Sequence, residues 1–385
     1  MPGESGAPLV PSPPPPILLL PHDALLKILS LLPLRQLVLC RLVCRPFRDS
    51  LSSPPVTPPL PLLSFRYSHP HFLLSYDPAS SSHLRFPLDF LPFPSASPVT
   101  SCNSLVYLWA SSSDDILTPN PDPHPKPSKS LVVANPVTRN FKILPRLGSA
   151  WSRHGTVLAG PGGAVVVLVE LAALYFSPQS THWRKFSLNL PSKPRSPVLI
   201  GDGSIYTLCD VGAPWRSQWK MFRVRVEELG SGWGLVERDG WGDVFDALKR
   251  PRLVRGGGDG EVLMIGGLRS GFAVDSPCST VMILRLDLGR MEWEEAGKMP
   301  MEMYKCFATA APGGSGGQGG GNNKVKVFGG EGRVWFSGRR VSGRMAMWEE
   351  EKVGGGSWRW VEGIPGYGDG VYRGFVYNAG FTEIP

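Results

Sequence analysis

The sequence predicts a multidomain protein in which a small all-α unit of three helices precedes a large all-β domain. Between residues 17 and 51, leucines recur at helical spacing. A proline-rich stretch follows, and beyond it short strand-like runs alternate with turn residues. The 385 residues include 45 glycines, 40 prolines, 12 tryptophans and 17 phenylalanines, which fits many short strands joined by tight turns.

The first helix is predicted by a stripe of apolar residues at positions i, i+3, i+4 and i+7, namely Leu25, Ile28, Leu29 and Leu32. Pro21 is tolerated in the first turn, where its missing N–H would have no partner in any case. Asp23 faces the positive end of the helix dipole. Pro33 ends this helix and can open a second one, in which the apolar residues are Leu34, Leu37, Val38 and Leu42. A third short helix is expected from near Cys44 towards Leu51.

The three helices carry more apolar surface than they can bury among themselves, because units below about 40 residues rarely build a full core. The surplus residues are Leu20, Leu31, Leu37, Val38, Leu39, Leu42 and Val43. We expect the following domain or another protein to cover them.

Residues 17–51 resemble the F-box in both spacing and residue type. The pattern LPxDxLLxILxxLP occupies 20–33, and RxVCRxFR occupies 41–48. This resemblance implies docking onto the Skp adaptor of a cullin-based ubiquitin ligase. The adaptor-binding positions that it implies are Leu20, Pro21, Leu25, Ile28, Leu29, Leu32, Pro33, Leu37, Val43, Cys44 and Phe47. Phe47 stands where the family usually has Trp, a change that bears on adaptor affinity. The alternative is a plain helical subdomain packed on the rest of the chain.

The predicted domain boundaries follow changes in composition. Residues 1–16 form a disordered proline-rich leader, 17–51 the F-box, 52–61 a linker and 62–385 the β domain. The linker SSPPVTPPLP reads as a stiff extended spacer that keeps the helices apart from the β domain.

Two similar units indicate repeats in the β domain. Residues 262–300 contain Gly266, Gly267 and Trp293, and residues 325–365 contain Gly329, Gly330 and Trp358. Both units resemble the kelch repeat, which implies a four-stranded blade of a β-propeller marked by a glycine pair and a downstream tryptophan. In addition, SCN at 101–103 followed by NPVTR at 135–139 is similar to the C-terminal halves of plant F-box proteins.

The number of blades is predicted from six aromatic landmarks, Phe86, Phe141, Trp183, Trp233, Trp293 and Trp358. Their spacing suits blades of about 40–50 residues with loop insertions, so we expect about six blades. Five or seven blades, a β-sandwich or an irregular all-β domain remain open at this point. Residues 110–130 and 312–323 are predicted loop insertions.

No catalytic or metal-binding constellation stands out in the sequence. The six cysteines form no CxxC motif, which favours reduced thiols in an intracellular protein. His69 and His71 form one HxH pair without a nearby cysteine, and the GxGxxG match at 314–319 lies in a glycine tract. Asp114, Asp115 and the run 349–351 are expected to be solvated charges. We therefore expect no cofactor, no metal and no enzymatic activity.

The net charge of +8 is unevenly distributed. Residues 139–226 hold twelve Lys/Arg against three acidic residues, which indicates either a solvated surface or a basic face for an acidic partner segment. Nucleic acid is disfavoured because no recognised binding motif accompanies the charge. Charged residues interrupt the apolar N-terminal stretch, so a membrane span is rejected.

Together these observations predict the substrate receptor of an Skp–cullin–F-box ubiquitin ligase in the cytoplasm or nucleus. Its partners would be an Skp-type adaptor, through it a cullin, and a client protein. Two alternatives are an F-box scaffold without a degradative role and a propeller enzyme with an incidental helical leader.

Overall fold

Three N-terminal helices precede six four-stranded antiparallel sheets arranged as a six-bladed β-propeller. The computed structural model describes residues 16–52, 60–66, 71–111, 129–147, 155–213, 216–242, 244–269, 278–308, 325–341, 343–351, 355–364 and 371–385. In these ranges no helix is both long and apolar enough to span a bilayer.

The helical segment, residues 16–52, begins with a single 3₁₀ turn at Pro16–Leu19. Three α-helices follow: α1 (His22–Ser30), α2 (Leu34–Val43) and α3 (Arg45–Ser52). The Pro21 carbonyl accepts from the Leu25 amide at 3.1 Å, and the Pro33 carbonyl accepts from the Leu37 amide at 3.1 Å. Both prolines therefore stand at helix starts, where a missing N–H costs nothing, as predicted.

Each blade is a sheet whose strands follow one another in chain order, except in the first blade. Blade 1 contains β1 (Leu60–Phe65), β2 (Phe72–Asp77) and β3 (Ser82–Pro87). Blade 2 contains β4 (Ala96–Cys102), β5 (Leu105–Ser111), β6 (Lys129–Asn135) and β7 (Asn140–Ile143). Blade 3 contains β8 (Thr156–Ala159), β9 (Val165–Leu168), β10 (Ala172–Phe176) and β11 (Arg184–Ser187).

The second half of the propeller repeats this order. Blade 4 contains β12 (Arg195–Leu199), β13 (Ser204–Asp210), β14 (Trp219–Arg225) and β15 (Gly234–Val236). Blade 5 contains β16 (Leu248–Arg255), β17 (Glu261–Arg269), β18 (Cys278–Asp287) and β19 (Glu292–Lys298). Blade 6 contains β20 (Lys326–Gly330), β21 (Arg333–Ser337), β22 (Met345–Glu350) and β23 (Gly356–Val361).

The last strand closes the ring. β24 (Gly374–Ala379) pairs with β1 from Phe65↔Gly374 to Leu60↔Ala379 and becomes the innermost strand of blade 1. The Asn135 amide in blade 2 also donates to the carbonyls of Gly380 at 3.2 Å and Glu383 at 3.0 Å. The six innermost strands β24, β4, β8, β12, β16 and β20 contact their neighbours around a closed circle.

The apolar core is divided among the six blade–blade interfaces. Successive residues of one strand serve different interfaces: Leu62 and Leu73 face blade 2, while Leu63 and Leu74 face blade 6. This alternation follows from the two-residue period of a strand that is covered on both faces.

The six aromatic landmarks fall one per blade, on the fourth strand or directly before it. Phe86, Phe141, Trp293 and Trp358 lie in the outer strands of blades 1, 2, 5 and 6, and Trp183 and Trp233 immediately precede those of blades 3 and 4. The Trp183 indole also donates to the Pro145 carbonyl at 2.7 Å, which links blade 3 to the end of blade 2. The prediction of six blades is confirmed.

The two glycine pairs do not occupy equivalent positions. Gly266 and Gly267 lie in the second strand of blade 5, where a Cβ on Gly267 would approach Cys278 Sγ to 2.5 Å. Gly329 and Gly330 end the first strand of blade 6, where a Cβ on Gly329 would approach the Arg333 carbonyl to 2.1 Å. Close approach of backbone requires glycine at position 329, whereas at position 267 glycine makes room for the Cys278 side chain. The two sequence units therefore correspond in their tryptophans and differ in their glycines.

Other boundaries differ slightly from those predicted. The first strand begins at Leu60, inside the predicted linker, and α3 ends at Ser52. Helix α4 (Met301–Ala308), which follows blade 5, was not predicted; it buries Met303 and Phe307 at helical spacing. The predicted insertion 110–130 is shorter at both ends, because its first and last two residues belong to β5 and β6. Its residues 112–128, the insertion 312–323, the leader up to residue 15 and linker residues 53–59 lie outside the described residues.

Candidate adaptor-docking surface

One side of the helical segment is buried. Its inward residues recur at i, i+3 or i+4 on each helix, namely Leu25, Leu29, Leu34, Leu37, Phe47 and Leu51. They belong to the same apolar cluster as residues of blades 1 and 2, including Leu62, Val106 and Phe381. The Arg41 guanidinium lies over the Phe381 ring, 5.6 Å from its centroid. Burial, and secondarily the nearby Arg48, lowers the pKa of Arg41.

This shared cluster corrects the expectation that the proline-rich linker holds the helices away from the propeller. Helices this short cannot complete a core alone, and the apolar edges of blades 1 and 2 supply the missing surface. Part of the surplus predicted from the sequence, Leu37 and Val38, is thus covered within the chain.

The other side of the helical segment carries a concentration of exposed apolar side chains. Eight of the fourteen large apolar side chains that are exposed in the described part of the chain fall within residues 17–43. We call this set the outer face: Ile17, Leu19, Leu20, Ile28, Leu31, Leu39, Leu42 and Val43. A concentration of this kind in so short a segment is typical of a surface that another protein covers.

Helix α2 contributes to both sides, because its sequence LRQLVLCRLV is apolar almost all round. Leu34 and Leu37 face inward, whereas Leu39, Leu42 and Val43 recur at i, i+3 and i+4 on the exposed side. Leu42 is 73% exposed. A helix with two apolar stripes needs two partners, and the propeller supplies only one of them.

Positive charge accompanies the outer face. The exposed residues Lys27, Arg35, Arg45 and Arg48 lie on the same three helices, against the acidic residues Asp23 and Asp49. A partner surface that complements this one is apolar at its centre and acidic at its rim.

The structure divides the eleven adaptor-binding residues that the sequence implied. Those on the exposed side are Leu20, Pro21, Ile28, Pro33 and Val43, and those half-buried are Leu32 and Cys44. The buried ones are Leu25, Leu29, Leu37 and Phe47. Phe47, with 7% of its surface exposed, is a core residue, so its difference from the usual Trp bears on packing of the helices.

Five outer-face residues were missing from the predicted set: Ile17, Leu19, Leu31, Leu39 and Leu42. The sequence did mark Leu31, Leu39 and Leu42, because each is among the apolar residues that exceed what three short helices can bury. Ile17 and Leu19 lie in a 3₁₀ turn, where no helical period marks them.

The basic stretch 139–226 does not gather on one side of the propeller. Lys142, Arg184 and Lys185 lie on exposed outer strands of blades 2 and 3, whereas Arg195 lies in the innermost strand of blade 4. Lys220 pairs with Glu237 at 3.1 Å.

The acidic run at 349–351 is largely structural. Glu350, whose side chain is 10% exposed, accepts from Arg285 of blade 5 at 2.5 Å, and Glu349 pairs with Arg333 at 2.6 Å. The expectation of solvated charges is therefore wrong for these two residues, because neighbouring strands and blades bring arginines against them.

The other residues considered for catalysis or metal binding form no such site within the described ranges. All six cysteines are free thiols, and no group of three or more potential metal ligands occurs within the described part of the chain. His69, Asp114, Asp115 and the glycine tract lie outside the described ranges.

Comparison with known proteins bears on the helical segment and on the whole chain. Residues 17–58 match the F-box domain family. Over 397 aligned positions the chain is 47% identical to SKP1-interacting partner 15 of Arabidopsis thaliana. The alignment covers 96% of this chain and 99% of that protein.

Two solved structures that resemble this chain do so with low TM-scores. A GH74 enzyme of Niastella koreensis aligns with a TM-score of 0.41 at 10% identity, covering 76% of this chain and 42% of that one. A post-proline cleaving enzyme of Rickettsia typhi aligns with a TM-score of 0.39 at 8% identity, covering 80% and 44%. Neither likeness carries information on function.

Proposed function

The chain belongs to the F-box protein family, and from this premise we propose that it is the substrate-recognition subunit of an Skp–cullin–F-box ubiquitin ligase. The helical segment binds the Skp adaptor, the adaptor connects it to a cullin, and the propeller binds a client protein. The relative with which it shares nearly its whole length is named as a partner of SKP1, which supports the adaptor step.

The observation that carries this proposal is the outer face. The helical segment already has a core, which it shares with blades 1 and 2, so its exposed leucines are not needed for folding. Covering several hundred Å² of apolar surface contributes about 25 cal/mol per Å², or several kcal/mol before the costs of association.

The chain acts as a non-catalytic subunit. Its contribution to ubiquitin transfer is proximity, since it holds the client near the ubiquitin-charged enzyme of the assembly and thereby makes the transfer effectively intramolecular.

We further propose that the client approaches the basic outer strands of blades 2 and 3 through an acidic segment. Support comes from the exposed Lys142, Arg184 and Lys185. Attraction between exposed charges is screened by salt, so client capture should weaken as ionic strength rises; capture that is insensitive to salt contradicts this part of the proposal.

A double substitution of the outer-face residue Leu20 and the adjoining exposed Pro21 tests the adaptor step. Leu20, with 39% of its surface exposed, and the neighbouring Pro21 precede α1. Leu20→Ala with Pro21→Ala should weaken binding of the co-expressed Skp adaptor by roughly tenfold or more, because each residue loses apolar contact area with the adaptor. Binding is measured by co-purification and by titration calorimetry.

Leu171→Ala is the matched control, since Leu171 is exposed on the propeller, far from the helices in sequence. It should leave adaptor binding unchanged, and thermal unfolding should show that all variants keep the propeller folded. Full adaptor binding by the Leu20/Pro21 variant would contradict the assignment of this face.

A further inference from the structure

The centre of the propeller contains a cavity of about 430 Å³ that is lined by all six innermost strands. Small-molecule sites in proteins commonly enclose about 300–1,000 Å³. The cavity is thus large enough for a small ligand and too confined for a folded partner.

Four arginines line this cavity: Arg255 and a group of three, Arg66, Arg252 and Arg373. Arg66 and Arg373 are cross-strand neighbours, because Phe65 pairs with Gly374 and the Arg66 amide donates to the Arg373 carbonyl at 2.8 Å. Arg252 comes from the innermost strand of blade 5. The ring closure between β1 and β24 therefore places two of the three guanidinium groups.

Within the ranges that the structure describes, none of the three guanidinium groups has an acidic partner. Arg255, on the same strand as Arg252, provides the contrast: it also lines the cavity but pairs with Glu331 at 3.3 Å and with Asp259 at 3.2 Å. One cavity arginine is thus neutralised by the protein, whereas three are not. Uncompensated cations that share one cavity repel each other and attract an anion.

The local backbone contributes to this arrangement. The pairing of β16 with β17 shifts register between Lys249 and Arg252, and Arg250, inside this bulge, has a φ of 54°. A bulge of this kind redirects the side chains that follow it. A non-glycine residue in the left-handed region is strained, a cost that recurs at ligand sites.

The electrostatic environment agrees with an anion-binding site. Burial, and secondarily Arg373, lowers the pKa of Arg66 to about 10, and the same two causes lower the pKa of Arg252. The Arg66 side chain is exposed and lines the cavity. Because the cavity is surrounded by protein, this side chain is nevertheless partly shielded from bulk water, which lowers its pKa.

We propose that the central cavity binds a small molecule that carries two or more phosphate groups, held by Arg66, Arg252 and Arg373. The planar guanidinium fork donates two parallel hydrogen bonds to phosphate oxygens. A compact phosphate group concentrates nearly two negative charges, so a few such groups balance three cations within the available volume. The bound anion would remove the mutual repulsion of the three arginines and stabilise the closure of blade 1.

Isothermal titration calorimetry on the full chain with its adaptor tests this proposal, with tripolyphosphate as the probe at fixed ionic strength. Tripolyphosphate should bind at least tenfold more tightly than inorganic phosphate. Arg252→Gln and Arg373→Gln should each weaken tripolyphosphate binding by about tenfold or more, since each removes charge-assisted hydrogen bonds. Both substitutions should also raise the unfolding temperature of the ligand-free chain, because an uncompensated cation is removed.

Arg225→Gln is the matched control, because Arg225 is exposed at the end of β14 and does not line the cavity. It removes the same charge and should leave tripolyphosphate binding within twofold of the unchanged protein. Absence of tripolyphosphate binding, or an equal loss in Arg225→Gln, would overturn the proposal. Equal affinity for citrate would overturn the phosphate assignment, and displacement of tripolyphosphate by hexaglutamate would assign the cavity to an acidic peptide instead.

Discussion

At the scale of single residues, the same residue type has opposite roles on the two sides of the helical segment. Leu29 is 2% exposed inside the shared core, whereas Leu42 is 73% exposed on the outer face. Burial in a core stabilises the folded chain, while an exposed leucine contributes only when a partner covers it.

A pair of alanine substitutions separates these roles. Phe47→Ala, in the core, should reduce the free energy of unfolding of the helical segment by about 3–5 kcal/mol, because it leaves a cavity. Leu42→Ala, on the outer face, should change that free energy by less than about 0.5 kcal/mol and weaken adaptor binding. Denaturant unfolding and adaptor titration measure the two effects. A strongly destabilised Leu42→Ala would place Leu42 in the fold instead of the interface.

The sequence could predict which residues belong to the F-box but could not assign them to a side. Helical spacing identifies an apolar stripe only when the opposite side is polar, and α2 is apolar on both. The part-buried Arg285–Glu350 pair was missed for a related reason, since it joins residues of two blades and leaves no local pattern.

At the scale of structural elements, one strand decides whether the propeller closes. β24 fills the innermost place of blade 1, pairs with β1 over six residues and buries Phe375, Val376 and Tyr377. Without it, β1 has an unpaired edge and the circle of innermost strands is broken.

A chain ending at Arg373 should therefore lose cooperative folding. The lost burial of three large side chains alone costs roughly 5–8 kcal/mol, which is comparable to the whole stability of a typical domain. A chain ending at Glu383 removes only the last two residues and should unfold as the full chain does. Thermal unfolding monitored by circular dichroism distinguishes them, and a sharp, unchanged transition in the shorter chain would contradict the closure by β24.

The aromatic landmarks predicted the number of blades because each blade places one of them at its outer strand. The closing strand was not predicted, since it has no landmark and its partner β1 is about three hundred residues away in the chain. Helix α4 was hidden for another reason: it lies between the two repeat units, 262–300 and 325–365, and belongs to neither of them.

At the scale of the whole molecule, the F-box and the propeller share a core. Helix α2 contacts Phe381, which follows the closing strand β24, so the adaptor-binding unit packs beside the strand that closes the ring. Deleting the helices would expose this apolar region of blades 1 and 2 and perturb the propeller. A surface variant that leaves the core intact is therefore the appropriate tool for testing function in cells.

The most direct measurement captures client proteins from cells with the proteasome blocked, using the intact chain and the Leu20→Ala, Pro21→Ala variant. Clients should bind to both, because the propeller is unchanged, but they should carry ubiquitin and co-purify with adaptor and cullin only when captured by the intact chain. Equal ubiquitylation of clients on both proteins would contradict a role as substrate receptor through the outer face. Clients that bind the intact chain together with adaptor and cullin but never carry ubiquitin would contradict a role in ubiquitin transfer and indicate a scaffold.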